Sequence, residues 1–212
     1  MRNDINNQSA LKRWNGSQRR IGLTGGIASG KSSIGAFLKI TKNLPILDAD
    51  IYAHEALEPG KPSTRIVLER YGNSIKIQKK GSQPSINRSA LGEIIFNKPH
   101  ERFWIEKLLH PIVKERLIKE LEARKNEPII VLIIPLLFEA NLSELCSEVW
   151  VINCSAEQQM HRLLKRDGLS KNEAKKRIEA QWPIKTKLEL ADIIIDNSKR
   201  PKEWLGKVDK LC

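Results

Sequence analysis

The sequence predicts an α/β fold, in which a five-stranded parallel sheet lies between two layers of helices. Short apolar runs alternate with longer segments of helical period, an order typical of strands joined by crossover helices. Residues 129–134 are all Ile, Val or Leu, which indicates a strand buried on both faces, as in parallel sheets. A glycine-rich segment follows the first predicted strand directly and joins it to a helix.

The predicted core strands are short and widely spaced along the chain. They cover residues 21–23, 45–47, 129–134, 149–153 and 193–196. The segment between the second and third of them, residues 63–109, contains no core strand and is mostly helical, with a turn near residues 81–85. This segment therefore predicts a helical subdomain inserted into the α/β domain.

Local signals mark several helix starts. The first predicted helix covers residues 32–40. Ser155 with Gln158, and Ser170 with Glu173, have the spacing of a capping box. Pro111 fits the first turn of a helix that extends to about residue 125.

Composition limits the classes of function. The 37 Lys and Arg exceed the 25 Asp and Glu, and the net charge of +12 predicts an anionic partner: a nucleic acid, a membrane or a phosphorylated small molecule. Aromatic residues make up only 5%, too few for a platform that stacks single-stranded nucleic acid. The longest apolar run, residues 129–138, is interrupted by Pro135 and is shorter than the roughly 18 residues of a membrane span.

Cysteine usage and the N-terminal segment add two expectations. The three cysteines lack a CxxC spacing, which argues against a disulfide framework or zinc site and favours a reducing cytoplasm. Residues 1–19 are polar and basic without apolar periodicity, so we expect a disordered tail followed by one domain at residues 20–212.

The glycine-rich segment matches the pattern G-x-x-x-x-G-K-[ST]. Glycines at both ends let the backbone turn so that successive N–H groups face a phosphate, and the following helix adds its positive dipole end. The lysine reaches the β- and γ-phosphates and the serine hydroxyl can hold Mg²⁺. The sequence thus predicts a P-loop that binds ATP through Gly25, Gly26, Ile27, Ala28, Ser29, Gly30, Lys31, Ser32 and Ser33.

Other motifs narrow the class of P-loop protein. The N-K-x-D base-reading motif of GTPases is missing, and the chain is too small for a motor or helicase core. Asp48 and Asp50 follow the second predicted strand, at the sheet edge where functional groups gather. Arg162 and Arg166 are four residues apart on one helix face and can reach the same phosphates. These features favour a small kinase with a nucleotide-like acceptor.

Together, the motifs resemble the dephospho-CoA kinase family over residues 20–197. The matching segments are GLTGGIASGKS at 22–32, LDAD at 47–50, HP at 110–111, PLLFE at 135–139, QxxRxxxR at 159–166 and a stretch at 181–197 with Gln181, Lys187 and ADxxIDN. Two positions depart from the family pattern, His54 in place of a frequent Arg and Lys199 in place of a frequent Gly. The resemblance implies an acceptor-binding insertion at about residues 51–110 and a lid at about residues 162–181.

The resemblance also implies a reaction and roles for individual residues. ATP would phosphorylate the ribose 3′-hydroxyl of dephospho-CoA with Mg²⁺ as cofactor. Asp50 would serve the acceptor hydroxyl, while Lys31, Arg162 and Arg166 would neutralise phosphate charge. Asp48 is either a metal ligand or a helix cap, and whether it or Asp50 contacts the metal stays open. The remaining candidates are Asn197 near the adenine, His54, Arg88, His110 and Glu139 around the acceptor, and Ser32 at the metal.

Two other functions remain open from the sequence. One is a kinase of the same fold with a different nucleotide acceptor, such as a nucleoside monophosphate. The other, motivated by the net charge, is a P-loop ATPase stimulated by nucleic acid. Under the first interpretation the partners are small molecules, with no membrane and no nucleic acid, and the location is cytoplasmic.

Overall fold

A five-stranded parallel sheet forms the centre of the molecule in the computed structural model, which describes residues 13–198 and 203–212. The strands are β1 (Arg19–Gly25), β2 (Ile46–Asp48), β3 (Lys76–Ile77), β4 (Ser85–Ile86), β5 (Ile129–Ile133), β6 (Glu148–Asn153) and β7 (Ile193–Asp196). The central sheet has the order β2-β5-β1-β6-β7, with every neighbouring pair parallel. The predicted fold class and its five strands are confirmed.

Helices cover both faces of this sheet. They are α1 (Lys31–Thr41), α2 (Ala49–Ala56), α3 (Pro62–Tyr71), α4 (Arg88–Asn97), α5 (Pro99–Ala123), α6 (Ala156–Asp167), α7 (Lys171–Glu179), α8 (Ile184–Glu189) and α9 (Leu205–Leu211). Short 3₁₀ helices occupy Gly72–Ser74 and Leu142–Leu145. The capping boxes predicted from Ser155 and Ser170 are both formed, at the starts of α6 and α7.

Strand β5 shows why an uninterrupted apolar run is needed at the centre of the sheet. Its residues alternate between two cores, because successive side chains of a strand point to opposite faces. Ile130 and Leu132 belong to the core that includes α5, whereas Val131 and Ile133 belong to the core that includes α1. Both faces of the strand are therefore closed to water.

The insertion between β2 and β5 has a small core of its own. β3 and β4 pair as an antiparallel hairpin whose connection contains the turn predicted near residues 81–85. The buried residues of this core come from the end of α2, from α3, from the hairpin and from α4 and α5, namely Leu57, Val67, Ile75, Ile86, Leu91 and Ile105. A separate core lets this part hold its shape next to the sheet.

The prediction that a helix begins at Pro111 is wrong. Helix α5 begins at Pro99 and continues through Pro111 to Ala123. Proline inside a helix removes one backbone hydrogen bond. The helix continues because its two halves pack on different cores, Ile105 on the core of the insertion and Leu117 on the core of the main sheet.

The predicted tail is packed where the structure describes it. Residues 1–12 lie outside the described residues, but residues 13–18 lie against the domain. The Gln18 amide donates hydrogen bonds to the carbonyls of Arg124 and Glu127, each at 2.8 Å, and Trp14 N–H donates to the Cys146 carbonyl at 3.0 Å. The expectation of a disordered tail is therefore wrong for residues 13–19, because buried polar contacts hold this segment.

Candidate active site

The glycine-rich loop leaves the central strand of the sheet, between the end of β1 and the start of α1. Gly25 and Gly30 have φ angles of 144° and 107°, which residues with a Cβ rarely adopt. A Cβ on Gly25 would lie 2.4 Å from the carbonyl oxygen of Ile152, and one on Gly30 would lie 2.2 Å from Nδ2 of Asn197. Both glycines are thus required by conformation and by space.

Side chains hold the carbonyl groups of this loop. Nζ of Lys31 donates to the carbonyl oxygens of Gly25 and Gly26 at 3.0 and 2.9 Å. Nδ2 of Asn197 donates to the carbonyl oxygen of Ser29 at 2.8 Å. These bonds fix the orientation of the loop carbonyls and leave N–H groups of the loop available to another acceptor.

The start of α1 provides those N–H groups. Among the described residues, the N–H groups of Gly30, Lys31 and Ser32 have no hydrogen-bond acceptor. Free N–H groups at a helix N-terminus, together with the helix dipole, form an anion-binding site. The predicted P-loop therefore has the geometry that phosphate binding needs.

Lys31 is the buried cation of this loop, with 8% of its surface exposed. Burial lowers the pKa of Lys31 to about 8, and the nearby Asp50 carboxylate partly offsets that effect. A phosphate placed on the loop would favour the charged form. The ammonium group is therefore close to a titration point in the nucleotide-free protein.

Asp48 and Asp50 take different positions at the end of β2. Asp48 Oδ1 accepts a hydrogen bond from the N–H of Asp50 at 2.9 Å and so caps α2. Asp50 lines the cleft in front of the P-loop. The pKa of Asp50 is raised, first by burial and then by the charge of Asp48, while Lys31 acts in the opposite direction. Of the two roles left open for Asp48, the structure shows the cap.

Helix α6 brings Arg162 against the P-loop. Its guanidinium group lies 3.3 Å from the carbonyl oxygen of Ser29 and 3.2 Å from that of Asn197. Asn197 itself is buried and connects the loop to the end of β7. Arg162 and Asn197 both line the cleft, and their contact with ATP stays a prediction.

Arg166 lies one turn further along α6 and is paired with the neighbouring Asp167. Its guanidinium group makes two hydrogen bonds to the Asp167 carboxylate, at 2.6 and 2.9 Å. Arg177 from α7 lies 3.7 Å from the same carboxylate. Gly168, with a φ angle of 64°, ends α6 next to this cluster. Both arginines line the cleft, and Arg177 is a cation that the sequence did not single out.

The cleft extends from the P-loop to the insertion. It has a volume of about 1640 Å³, larger than the roughly 300–1,000 Å³ that holds one small ligand. One wall is the loop with Asp50 and the arginines of α6 and α7. The part of the lining that comes from α4 and α5 is mostly apolar and includes Leu91, Ile95, Phe96, Ile105 and Leu109. The charged pair Arg102 and Glu106, 3.8 Å apart, and His110 lie in the same part of the lining. The space is sufficient for two substrates side by side.

The predicted acceptor residues divide into two groups. His110 lines the cleft, and burial lowers its pKa while the Glu139 charge acts against that change. His54 and Arg88 do not line it. They are exposed and linked to each other, since the Arg88 guanidinium group donates to the His54 carbonyl at 3.1 Å. That bond joins the end of α2 to the start of α4.

Glu139 lies behind the cleft surface. Its Oε1 pairs with Nζ of Lys187 at 2.7 Å and accepts a hydrogen bond from the N–H of Trp182 at 3.0 Å. Lys187 is fully buried and also donates to the carbonyl oxygen of Pro135 at 3.0 Å. Glu139 therefore connects the loop after β5 to the segment after α7.

Two further residues contact the P-loop, and sequence reasoning gave them no role. Nε2 of Gln159 donates to the carbonyl oxygen of Ile27, and the N–H of Ile27 donates to Oε1 of Gln181, both at 2.7 Å. Both glutamines belong to segments quoted for the family resemblance. Their position in those segments was the only available signal, because a glutamine has no distinctive chemistry in a sequence.

The donor atoms near the P-loop suit a hard cation. Ser32 is exposed in the first turn of α1, and the Asp50 carboxylate faces the same cleft. Mg²⁺ prefers oxygen ligands and usually keeps several waters and substrate phosphates, so a protein cage is not required. The described residues contain no group of three or more His, Cys, Asp or Glu that could hold a metal.

Comparison with known proteins identifies the family. The family model described as dephospho-CoA kinase matches residues 19–203. The chain belongs to the dephospho-CoA kinase family. A protein of Prochlorococcus marinus named dephospho-CoA kinase is 55% identical over 196 residues, which cover 92% of this chain and 93% of that protein. The family predicted from the motifs is confirmed, and the chain is a P-loop kinase.

Solved structures agree with the fold of this kinase. The crystal structure of TT1252 from Thermus thermophilus has a TM-score of 0.74 at 27% identity, covering 92% of this chain and 97% of that one. The dephospho-CoA kinase from Campylobacter jejuni has a TM-score of 0.62 at 27% identity, covering 91% and 94%. Within the described residues, we find no helix with the length and apolar character of a membrane span.

Proposed function

We propose that this kinase transfers the γ-phosphoryl group of ATP to the ribose 3′-hydroxyl of dephospho-CoA, giving coenzyme A and ADP. The observation that carries the proposal is a single cleft with Asp50 and the phosphate-binding loop at one wall and a mostly apolar wall from α4 and α5. Family membership supports the choice of acceptor. The cleft volume supports the simultaneous binding of two substrates.

The donor side consists of residues 25–33 and the lid. The triphosphate would accept hydrogen bonds from the N–H groups of the loop, and Lys31 would turn from the loop carbonyls to the β- and γ-phosphates. Arg162 and Arg166 would neutralise charge in the transition state, Arg166 by exchanging Asp167 for phosphate oxygen. Asn197 would lie near the adenine.

Asp50 serves the acceptor hydroxyl in this mechanism. The 3′-oxygen forms a bond to the γ-phosphorus while the bond from that phosphorus to the bridging oxygen of ADP breaks. The hydroxyl proton passes to the Asp50 carboxylate, whose raised pKa suits it for accepting a proton. Positioning contributes most of the rate, because phosphoryl transfer needs little covalent help from a protein.

Magnesium fits the oxygen donors of the cleft. Ser32 would hold it, together with Asp50 or, if its cap opens, Asp48. When bound with ATP, Mg²⁺ supplies neutralisation of phosphate charge.

The insertion, residues 51–110, would bind the acceptor, and residues 162–181 would form the lid. His110 would face the acceptor from α5, while His54 and Arg88 are bonded to each other and do not line the cleft. Glu139 would influence the acceptor site indirectly, through its charge near His110 and its hydrogen bond from the N–H of Trp182. A cytoplasmic location is supported by the three cysteines, all of which are free.

One assay distinguishes this function from its alternatives. The protein is incubated with Mg-ATP and dephospho-CoA, a nucleoside monophosphate or RNA, and both ADP and product mass are followed. We expect a product heavier by one phosphoryl group with dephospho-CoA alone. Phosphorylation of a nucleoside monophosphate, or ADP release stimulated only by RNA, would overturn the proposal.

A further inference from the structure

One residue of the P-loop is held by side chains on both sides of its backbone. The N–H of Ile27 donates to Oε1 of Gln181 at 2.7 Å, and the carbonyl of Ile27 accepts from Nε2 of Gln159 at 2.7 Å. The N–H of Ile27 is therefore not free to donate to phosphate. The two bonds fix the orientation of the peptide groups at Ile27, which precedes in sequence the free N–H groups of residues 30–32.

The two glutamines stand at opposite ends of the lid. Gln159 lies in α6, three residues before Arg162, and Gln181 follows the end of α7 at Glu179. The proposed lid, residues 162–181, begins three residues after Gln159 and ends at Gln181. Both ends of the lid are thus tied to the same residue of the phosphate-binding loop.

Each glutamine is itself firmly held. Gln159 is 9% exposed, and a Cβ on Gly26 would lie 2.6 Å from its Nε2, so the loop packs closely against it. Gln181 is followed by Trp182, whose N–H donates to Glu139. Glu139 in turn pairs with the fully buried Lys187. Gln159 is therefore held by close packing, and Gln181 lies next to a segment that a buried ion pair holds in place.

We infer that Gln159 and Gln181 are positioning residues that hold the P-loop in its phosphate-binding shape and connect it to both ends of the lid. ATP on the loop and placement of the lid arginines then favour each other, because both depend on the orientation of Ile27. This inference rests on the proposed binding of ATP at the loop. It does not depend on which acceptor is used.

The two glutamines have opposite hydrogen-bonding roles, and this difference can be tested with one substitution. Gln159 must donate, because its partner is a carbonyl, whereas Gln181 must accept, because its partner is an N–H. A glutamate at 181 keeps an acceptor, while a glutamate at 159 places a carboxylate against a carbonyl oxygen. The same substitution should therefore be tolerated by the loop at one position and disruptive at the other.

The first measurement needs no nucleotide. Hydrogen–deuterium exchange at pH 8 reports how well the Ile27 amide is protected in the whole protein. We expect exchange about tenfold faster in Gln181→Met, as one bond is lost, and close to wild type in Gln181→Glu. Gln159→Glu should disturb exchange throughout the loop more than Gln159→Met does. Equal effects of glutamate at both positions would overturn the inference.

The second measurement concerns ATP. We expect Gln159→Met and Gln181→Met to weaken ATP binding about tenfold, measured by calorimetry, and to reduce the protection that ATP gives to lid peptides. The matched control is Gln18→Met, since Gln18 is buried like Gln159 and its amide also donates to backbone carbonyls, but at the other end of the sheet. It should lower the melting temperature and leave ATP binding unchanged.

The outcomes separate the two proposals. The positioning role would be overturned if Gln159→Met and Gln181→Met bound ATP as tightly as the wild type does. It would also be overturned if they weakened ATP binding no more than Gln18→Met does. Wild-type protein that binds ATP but fails to phosphorylate dephospho-CoA would overturn the proposed acceptor and leave the positioning role standing.

Discussion

The wall of the cleft that carries the P-loop is built from hydrogen bonds, whereas the wall formed by the insertion is built from apolar packing. On the first wall, buried donors hold the carbonyls of residues 25–29, and the positions of polar atoms are fixed within a narrow range. On the second wall, side chains of α4 and α5 extend from a separate core and present mostly apolar surface. The comparison indicates that the wall with the P-loop is specified by the geometry of hydrogen bonds, while the wall from the insertion is specified mainly by shape and area.

The largest effect is expected on the polar wall, from Asp50→Asn. Without a proton acceptor at the 3′-hydroxyl, kcat should fall by about 10²- to 10⁴-fold while the KM for ATP changes little. Steady-state kinetics with dephospho-CoA measure both constants. Asp209→Asn is the control, since Asp209 pairs with Lys42 at 2.9 Å at the C-terminal end of α1, away from the P-loop.

A pH profile sharpens this assignment. Because the pKa of Asp50 is raised, kcat should decline with falling pH below a pKa that lies above the ordinary range for aspartate. Near-wild-type turnover of Asp50→Asn would refute the assignment and place the proton acceptor elsewhere.

The apolar wall is tested by Ile95→Ala, where a substrate-specific effect is expected. Ile95 lines the cleft, and removing its outer carbons should raise the KM for dephospho-CoA about tenfold with no change for ATP. Ile94→Ala is the matched control, because Ile94 packs on the core of the insertion without lining the cleft. If both variants raise the KM equally, the wall acts only through stability.

The charge of Lys31 should make ATP affinity depend on pH, by about as much as Ile95→Ala changes the KM for dephospho-CoA. Its pKa is lowered to about 8, so above that pH the free protein loses the ammonium group that phosphate needs. Apparent ATP affinity should therefore fall by up to about tenfold for each pH unit above 8. Calorimetry between pH 7 and 10 measures this, and Lys31→Arg should abolish the pH dependence. A flat wild-type profile would show that Lys31 stays charged throughout.

The smallest effect is expected at Asp48, where the two roles left open by the sequence can be separated. If the side chain acts only as the cap of α2, Asp48→Asn should keep both stability and activity, because asparagine is an equally good cap. Asp48→Ala should then cost about 1 kcal/mol of unfolding free energy, seen as a lower melting temperature. Weakened activation by Mg²⁺ in Asp48→Asn would instead indicate a metal contact.

The elements that sequence reasoning found have strong local signals. The P-loop motif, the capping boxes at Ser155 and Ser170 and the apolar run of β5 are all present at the expected places. The start of α5 was missed because a proline at position 111 looks like a helix N-terminus when its neighbours in space are unknown. The packing of residues 13–18 was missed because this segment has no apolar period, and polar contacts hold it.

The sequence by itself determined the family, the parallel sheet and the loop that faces phosphate, since these depend on residue types at fixed short spacings. Only the tertiary structure decided that Asp48 caps a helix while Asp50 enters the cleft, and that Glu139 pairs with Lys187. Only the tertiary structure also brought Gln159 and Gln181 to Ile27, across separations of 132 and 154 residues. The physical reason is that a hydrogen bond between residues far apart in the sequence depends on how the whole chain folds, and local sequence patterns contain no information about that.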